Sequence, residues 1–112
     1  MTIFNGLLKI GKTVKSINNM KTFDDLVWSE HPHDGFVARH TFENGNTISV
    51  VCGSFAYCTP REGMSQVEDY ESFEAAVIDK NRDFITSEFI GSDDVAGWLS
   101  REQITDLICK LK

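Results

Sequence analysis

The sequence predicts an α+β fold, in which a small antiparallel β-meander of about four strands packs against a C-terminal helix and an N-terminal amphipathic helix precedes both. Three observations lead there. Residues 36 to 57 alternate apolar and polar side chains on either side of Glu43-Asn44-Gly45, the pattern of a β-hairpin. Further alternating runs stand at 72 to 78 and 83 to 90. The last dozen residues place Ile104, Leu107, Ile108 and Leu111 on one helical stripe.

At the start of the chain, Ile3, Leu7, Ile10, Val14 and Ile17 recur at spacings of four and three, so they share one side of a helix with lysines on the other. Gly6 and Gly11 each cost such a helix about 1 kcal/mol relative to Ala, so it needs a surface to fold against. Residues 1 to 19 are therefore expected to be an N-terminal amphipathic helical extension, and residues 20 to 112 a single α+β domain. The next stretch, SEHPHDG at 29 to 35, is turn-rich, and Pro32 biases His31 toward extended geometry.

The hairpin's register follows from parity. Phe36, Ala38 and Phe42 lie on one face of the first strand, and Ile48, Val50 and Cys52 on one face of the second. Directly paired residues point to the same side of a sheet, so the two rows coincide only when paired numbers sum to an even value. A two-residue Asn44-Gly45 turn gives an odd sum. A three-residue loop with Gly45 left-handed pairs Phe42 with Asn46, Ala38 with Val50 and His40 with Ile48, which puts His40 on the buried face.

Residues 59 to 71, TPREGMSQVEDYE, combine turn formers with acids and are expected to form a mobile loop. Lys80-Asn81-Arg82 then turns between the third and fourth strands. Asp93 and Asp94 are expected to cap a short helical turn containing Val95 and Trp98. Ser100 and Gln103 match a capping box at the start of the final helix.

Composition bounds the function. The chain has 112 residues, 41% hydrophobic and 25% charged, which suits one modest core. No apolar run approaches the roughly 20 residues that span a bilayer, so stable membrane insertion is not expected. Three cysteines and no secretory leader point to free thiols in a reducing cytoplasm. The net charge is −6, but residues 1 to 23 carry four lysines and no acid, leaving 7 basic and 17 acidic side chains, or −10, on the remainder. Such a body repels phosphate backbones, which argues against direct nucleic-acid binding, and suits a basic partner.

No catalytic constellation is legible, and neither an enzyme activity nor a cofactor is expected. His31, His33 and Cys52 are the candidate metal ligands, with His40 a further member of a small metal- or ligand-binding site, but their spacing matches no zinc motif. A cysteine nucleophile at Cys52 or Cys58 would need a histidine and a carboxylate that no spacing links to it. Phe55, Tyr57, Glu68, Asp69, Tyr70 and Glu71, with Phe73 beyond them, form the candidate partner-binding surface, aromatic side chains flanking an acidic loop.

From Met20 onward the chain resembles a family of small uncharacterised proteins found in tailed-bacteriophage genomes. The resembling residues are MKTFDDLVW at 20 to 28, HP at 31 to 32, TFENGNTISVVCG at 41 to 53, FEAAV at 73 to 77 and DDVAGWLS at 93 to 100. Members often begin at the equivalent of Met20, which implies that residues 1 to 19 are an extension, and the longer loop at 59 to 71 departs from the family pattern. The resemblance carries no catalytic residues. It implies origin and fold more than activity; together with the small acidic body and the missing catalytic constellation it leads to the expectation of a non-enzymatic phage accessory protein that binds a host or phage protein in the bacterial cytoplasm, for example to block a host defence or nucleic-acid-handling enzyme. A self-associating structural protein is the other expectation, with a homodimer through residues 3 to 17 or a sheet edge.

Overall fold

The computed structural model describes residues 20 to 112, and the helix expected over residues 3 to 17 lies outside them. Among the described residues, five strands run in chain order across one antiparallel sheet: β1 (Trp28–Glu30), β2 (Phe36–Thr41), β3 (Thr47–Cys52), β4 (Phe73–Ile78) and β5 (Ala96–Leu99). The helix α1 (Arg101–Leu111) closes the chain. The α+β architecture is as expected, with five strands in place of four.

The central hairpin has the register that parity demands. Ala38 pairs with Val50 and His40 with Ile48. Phe42 N–H donates to Asn46 O at 2.8 Å, and Gly45 takes φ +92° to close the three-residue loop. The Asn44 side chain explains why the tip points where it does: its Nδ2 donates to Leu111 O at 2.9 Å, tying the turn to the last residue of α1.

The sheet's two rows divide cleanly. Ala38, Ile48, Val50, Cys52, Phe73, Ala75 and Val77 face α1 and are at most 1% exposed. Ile104, Leu107, Ile108 and Leu111 meet them from the helix, also at most 1% exposed, each contributing about 1.5 to 3 kcal/mol of burial. Ser100 Oγ accepts from Gln103 N–H while Gln103 Oε1 accepts from Ser100 N–H, so the expected capping box starts the helix. A second capping box, Thr22 with Asp25, opens a 3-10 turn (Phe23–Asp25) that brings Met20, Phe23 and Leu26 onto the same core. Arg101 joins the two ends: its guanidinium lies 5.2 Å from the rings of both Phe23 and Phe73 and donates to Tyr70 O at 2.9 Å.

Three expected elements are different. The run at 83 to 90 is not a strand: Phe84 bridges Ile78 and Ile85 N–H donates to Val77 O, but a 3-10 turn (Thr86–Glu88) then peels the chain away. The cause is Thr86, which is fully buried and spends its hydroxyl on backbone, accepting from Val77 N–H at 2.8 Å and donating to Asp94 O at 2.6 Å. Asp93 and Asp94 cap no helical turn; Ala96 to Leu99 extend instead as the edge strand β5. The segment 59 to 71 is folded around its own tyrosine. Thr59 bridges Ser72, a 3-10 turn spans Val67–Asp69, and the Tyr70 hydroxyl donates to Glu62 O at 2.5 Å while accepting from Met64 N–H.

Candidate interaction surface

A bulge in the edge strand gives Trp98 an unusual placement. Phe73 pairs with Leu99 and Ala75 with Ala96, so two steps along β4 face three along β5. The extra residue leaves Trp98 in the left-handed region at φ +52°, where a β-carbon costs about 1 to 2 kcal/mol. Bulges of this kind re-aim a side chain. Here the indole leaves the sheet and stands 59% exposed.

Tyr57 meets it. The two rings lie 5.2 Å apart with planes 33° from parallel, and Trp98 N–H donates to Tyr57 O at 2.9 Å. That hydrogen bond occupies part of the β5 edge, which is therefore closed to strand addition at this point. Gly97 makes the approach possible: a β-carbon there would stand 2.6 Å from Tyr57 Cβ. Tyr57 N–H is held in turn by Glu74 Oε1 at 3.0 Å, and the Arg61 guanidinium sits 5.1 Å from the tyrosine ring.

Beside the two rings opens a cleft of about 560 Å³ lined by Tyr57, Ser92, Asp93, Asp94, Val95, Gly97 and Trp98. Both aspartates are exposed. Among the described residues neither is paired with a cationic side chain. Thr86 positions this wall of the cleft through its hydrogen bond to Asp94 O. An aromatic pair next to two unpaired carboxylates can bind a cationic group.

The residues expected at a partner surface are placed differently from one another. Tyr57 is at the centre of the exposed pair. Phe55, 36% exposed, faces elsewhere and stacks on His31, with ring centroids 4.1 Å apart. Glu68, Asp69 and Glu71 are exposed on the 59 to 71 segment. Tyr70 is 1% exposed and Phe73 is fully buried, so both belong to the core and cannot meet a partner. Trp98 escaped the sequence reading because VAGW reads equally well as one helical turn.

The histidine-rich stretch is a clasped turn. Asp34 accepts from both Ser54 N–H and Ser54 Oγ, and the serine hydroxyl is the main reason its carboxyl is held below the usual range. His31 Nδ1 accepts from His33 N–H at 3.1 Å, which commits one ring nitrogen to the turn. Cys52 is fully buried, with its thiol directed at Phe36 O, and burial pushes its pKa up to about 12. Burial raises Cys58 as well. Thiols held this far from ionisation are poor nucleophiles and poor metal ligands. Among the described residues no three His, Cys, Asp or Glu side chains gather closely enough to hold a metal ion.

His40 lies on the core face, as its register requires, edge-on to Phe42 with centroids 4.7 Å apart. Its Nε2 is buried without a hydrogen-bond partner among the described residues, and burial lowers its pKa. Such a side chain is a neutral packing element. Among the described residues no helix is long and apolar enough to cross a membrane. No known family matches the chain, and no curated protein or solved structure is significantly similar to it.

Proposed function

We propose that the protein is a non-enzymatic binding protein that engages a protein partner through the Tyr57–Trp98 surface. The observation that carries this reading is Trp98 itself. The fold holds a large apolar side chain in water, on a backbone conformation that costs stability, and its indole recovers a ring contact with Tyr57 beside the backbone hydrogen bond to Tyr57 O. Strain of this kind is retained where it serves a site. Tryptophan, tyrosine and arginine are also the residues that most often dominate the energy of protein interfaces, and here Tyr57 touches both Trp98 and Arg61.

The likeness to tailed-phage proteins supports a narrower form of the proposal, an accessory protein acting on a host or phage protein in the bacterial cytoplasm. The experiment is site-specific photo-crosslinking in bacterial lysate. A benzophenone amino acid at Ser92, on the rim of the cleft, should give one defined adduct, whereas the same group at Glu43, on the hairpin tip, should not. Equal adducts from both positions, or none from Ser92, would refute the assignment of the surface.

A further inference from the structure

We propose that the cleft beside Trp98 receives an arginine side chain from the partner, a deeper reading that rests on the surface assignment above. The cleft is complementary to a guanidinium in both charge and shape. Asp93 and Asp94 stand exposed on one wall, and among the described residues no lysine or arginine neutralises either. Tyr57 and Trp98 form the other wall, their rings packed on each other with centroids 5.2 Å apart, and the indole, 59% exposed, is the electron-rich surface left open to a ligand. A guanidinium is planar, stacks on such faces and donates to carboxylates in parallel, so one group satisfies both walls at once. The molecule already shows the first half of that preference, because the Arg61 guanidinium is drawn to the Tyr57 ring at 5.1 Å. A cleft of about 560 Å³ holds an arginine side chain with the backbone of the segment that carries it.

A lysine satisfies the carboxylates but not the planar stack, and an apolar side chain satisfies the rings while leaving both carboxylates facing it. Arginine is thus the occupant the two walls select together. The backbone of the wall is fixed by Thr86 through Asp94 O, so the carboxylates are presented by a braced segment.

The test uses the full chain, labelled with nitrogen-15, and two probes at low salt: acetyl-Ala-Arg-Ala-amide and the neutral citrulline peptide of the same shape. The arginine peptide should give saturable shifts of the Trp98 indole N–H and of the Ser92 and Val95 amides, and the citrulline peptide should not saturate. Trp28, packed between Phe23 and Phe73, is the internal reference and should not move. The paired change Asp93→Asn and Asp94→Asn should weaken the arginine peptide about fivefold while leaving the rest of the spectrum in place, the scale expected for two exposed ion pairs. Equal response to both peptides, or unchanged affinity in the asparagine variant, would overturn the arginine assignment. If that happens while the Ser92 crosslink persists, the surface stands and only its specificity falls; if the crosslink is absent too, the surface assignment fails with it.

Discussion

Replacing Thr86 with Val should destabilise the protein by about 2 to 4 kcal/mol, because leaving a buried donor or acceptor unpaired costs about 1 to 3 kcal/mol for each group. The change is nearly isosteric, so it opens no cavity and the whole effect comes from the hydroxyl. Two backbone groups depend on that hydroxyl: Val77 N–H, which is fully buried, and Asp94 O, which is partly buried and so contributes toward the lower end. In a domain of this size the loss corresponds to a fall in Tm of about 10 to 25 °C. Thr86→Ser keeps the oxygen and should recover most of the difference. Urea and thermal unfolding of the three proteins would measure it. A Val variant within about 0.5 kcal/mol of the parent would refute the claim that Thr86 bridges β4 to the cleft wall, since that is the scatter of neutral surface changes. The same variant should lose crosslinking at Ser92 before it unfolds, because the wall is released first.

Gly97→Ala should cost about 1 to 3 kcal/mol and separate the Tyr57 and Trp98 rings, since the new β-carbon would stand 2.6 Å from Tyr57 Cβ; unfolding and indole fluorescence report the two effects. Ser100→Ala should cost about 1 kcal/mol by removing the helix cap, as read from the urea midpoint. His40 gives a pH prediction. Its folded pKa lies below the ordinary 6.5, so the unfolded chain binds the proton more readily and this residue's contribution to stability falls as pH drops below about 6.5. His40→Phe should therefore flatten the stability profile between pH 7.5 and 5.5 without loss at pH 7.5; a slope equal to the parent's would show that His40 is not its source.

The sequence was most informative where a periodicity and a turn constrained each other. The hairpin register followed because Gly45 and two apolar rows admit one parity, and α1 followed because a capping box and a four-residue stripe agree. Short edge strands left no such mark. β1 has three residues and β5 four, too few for alternation to show, and Gly97 inside β5 resembles a turn. The run at 83 to 90 alternates well but is ended by Thr86, whose partners Val77 and Asp94 are distant enough that no local pattern encodes them. Tyr70 looked like a surface aromatic because its neighbours are acids; its phenol is instead the centre around which the 59 to 71 segment closes. Half of the candidate surface was legible. Tyr57 stands where aromatic exposure was expected, whereas Trp98 depends on a bulge that only the pairing of β4 with β5 reveals.

If Trp98 is held in its strained, exposed position to bind a partner, removing the ring abolishes binding. Trp98→Asn tests it most directly, because asparagine tolerates the left-handed backbone and removes only the ring. Affinity capture from bacterial lysate should be compared for the parent, this variant and Phe84→Asn, which removes an aromatic side chain that is 51% exposed outside the cleft. Binding through Trp98 requires that one protein be recovered with the parent and with Phe84→Asn and lost with Trp98→Asn, all three having melting points within a few degrees as expected for surface changes. Equal recovery of that protein with Trp98→Asn would contradict it.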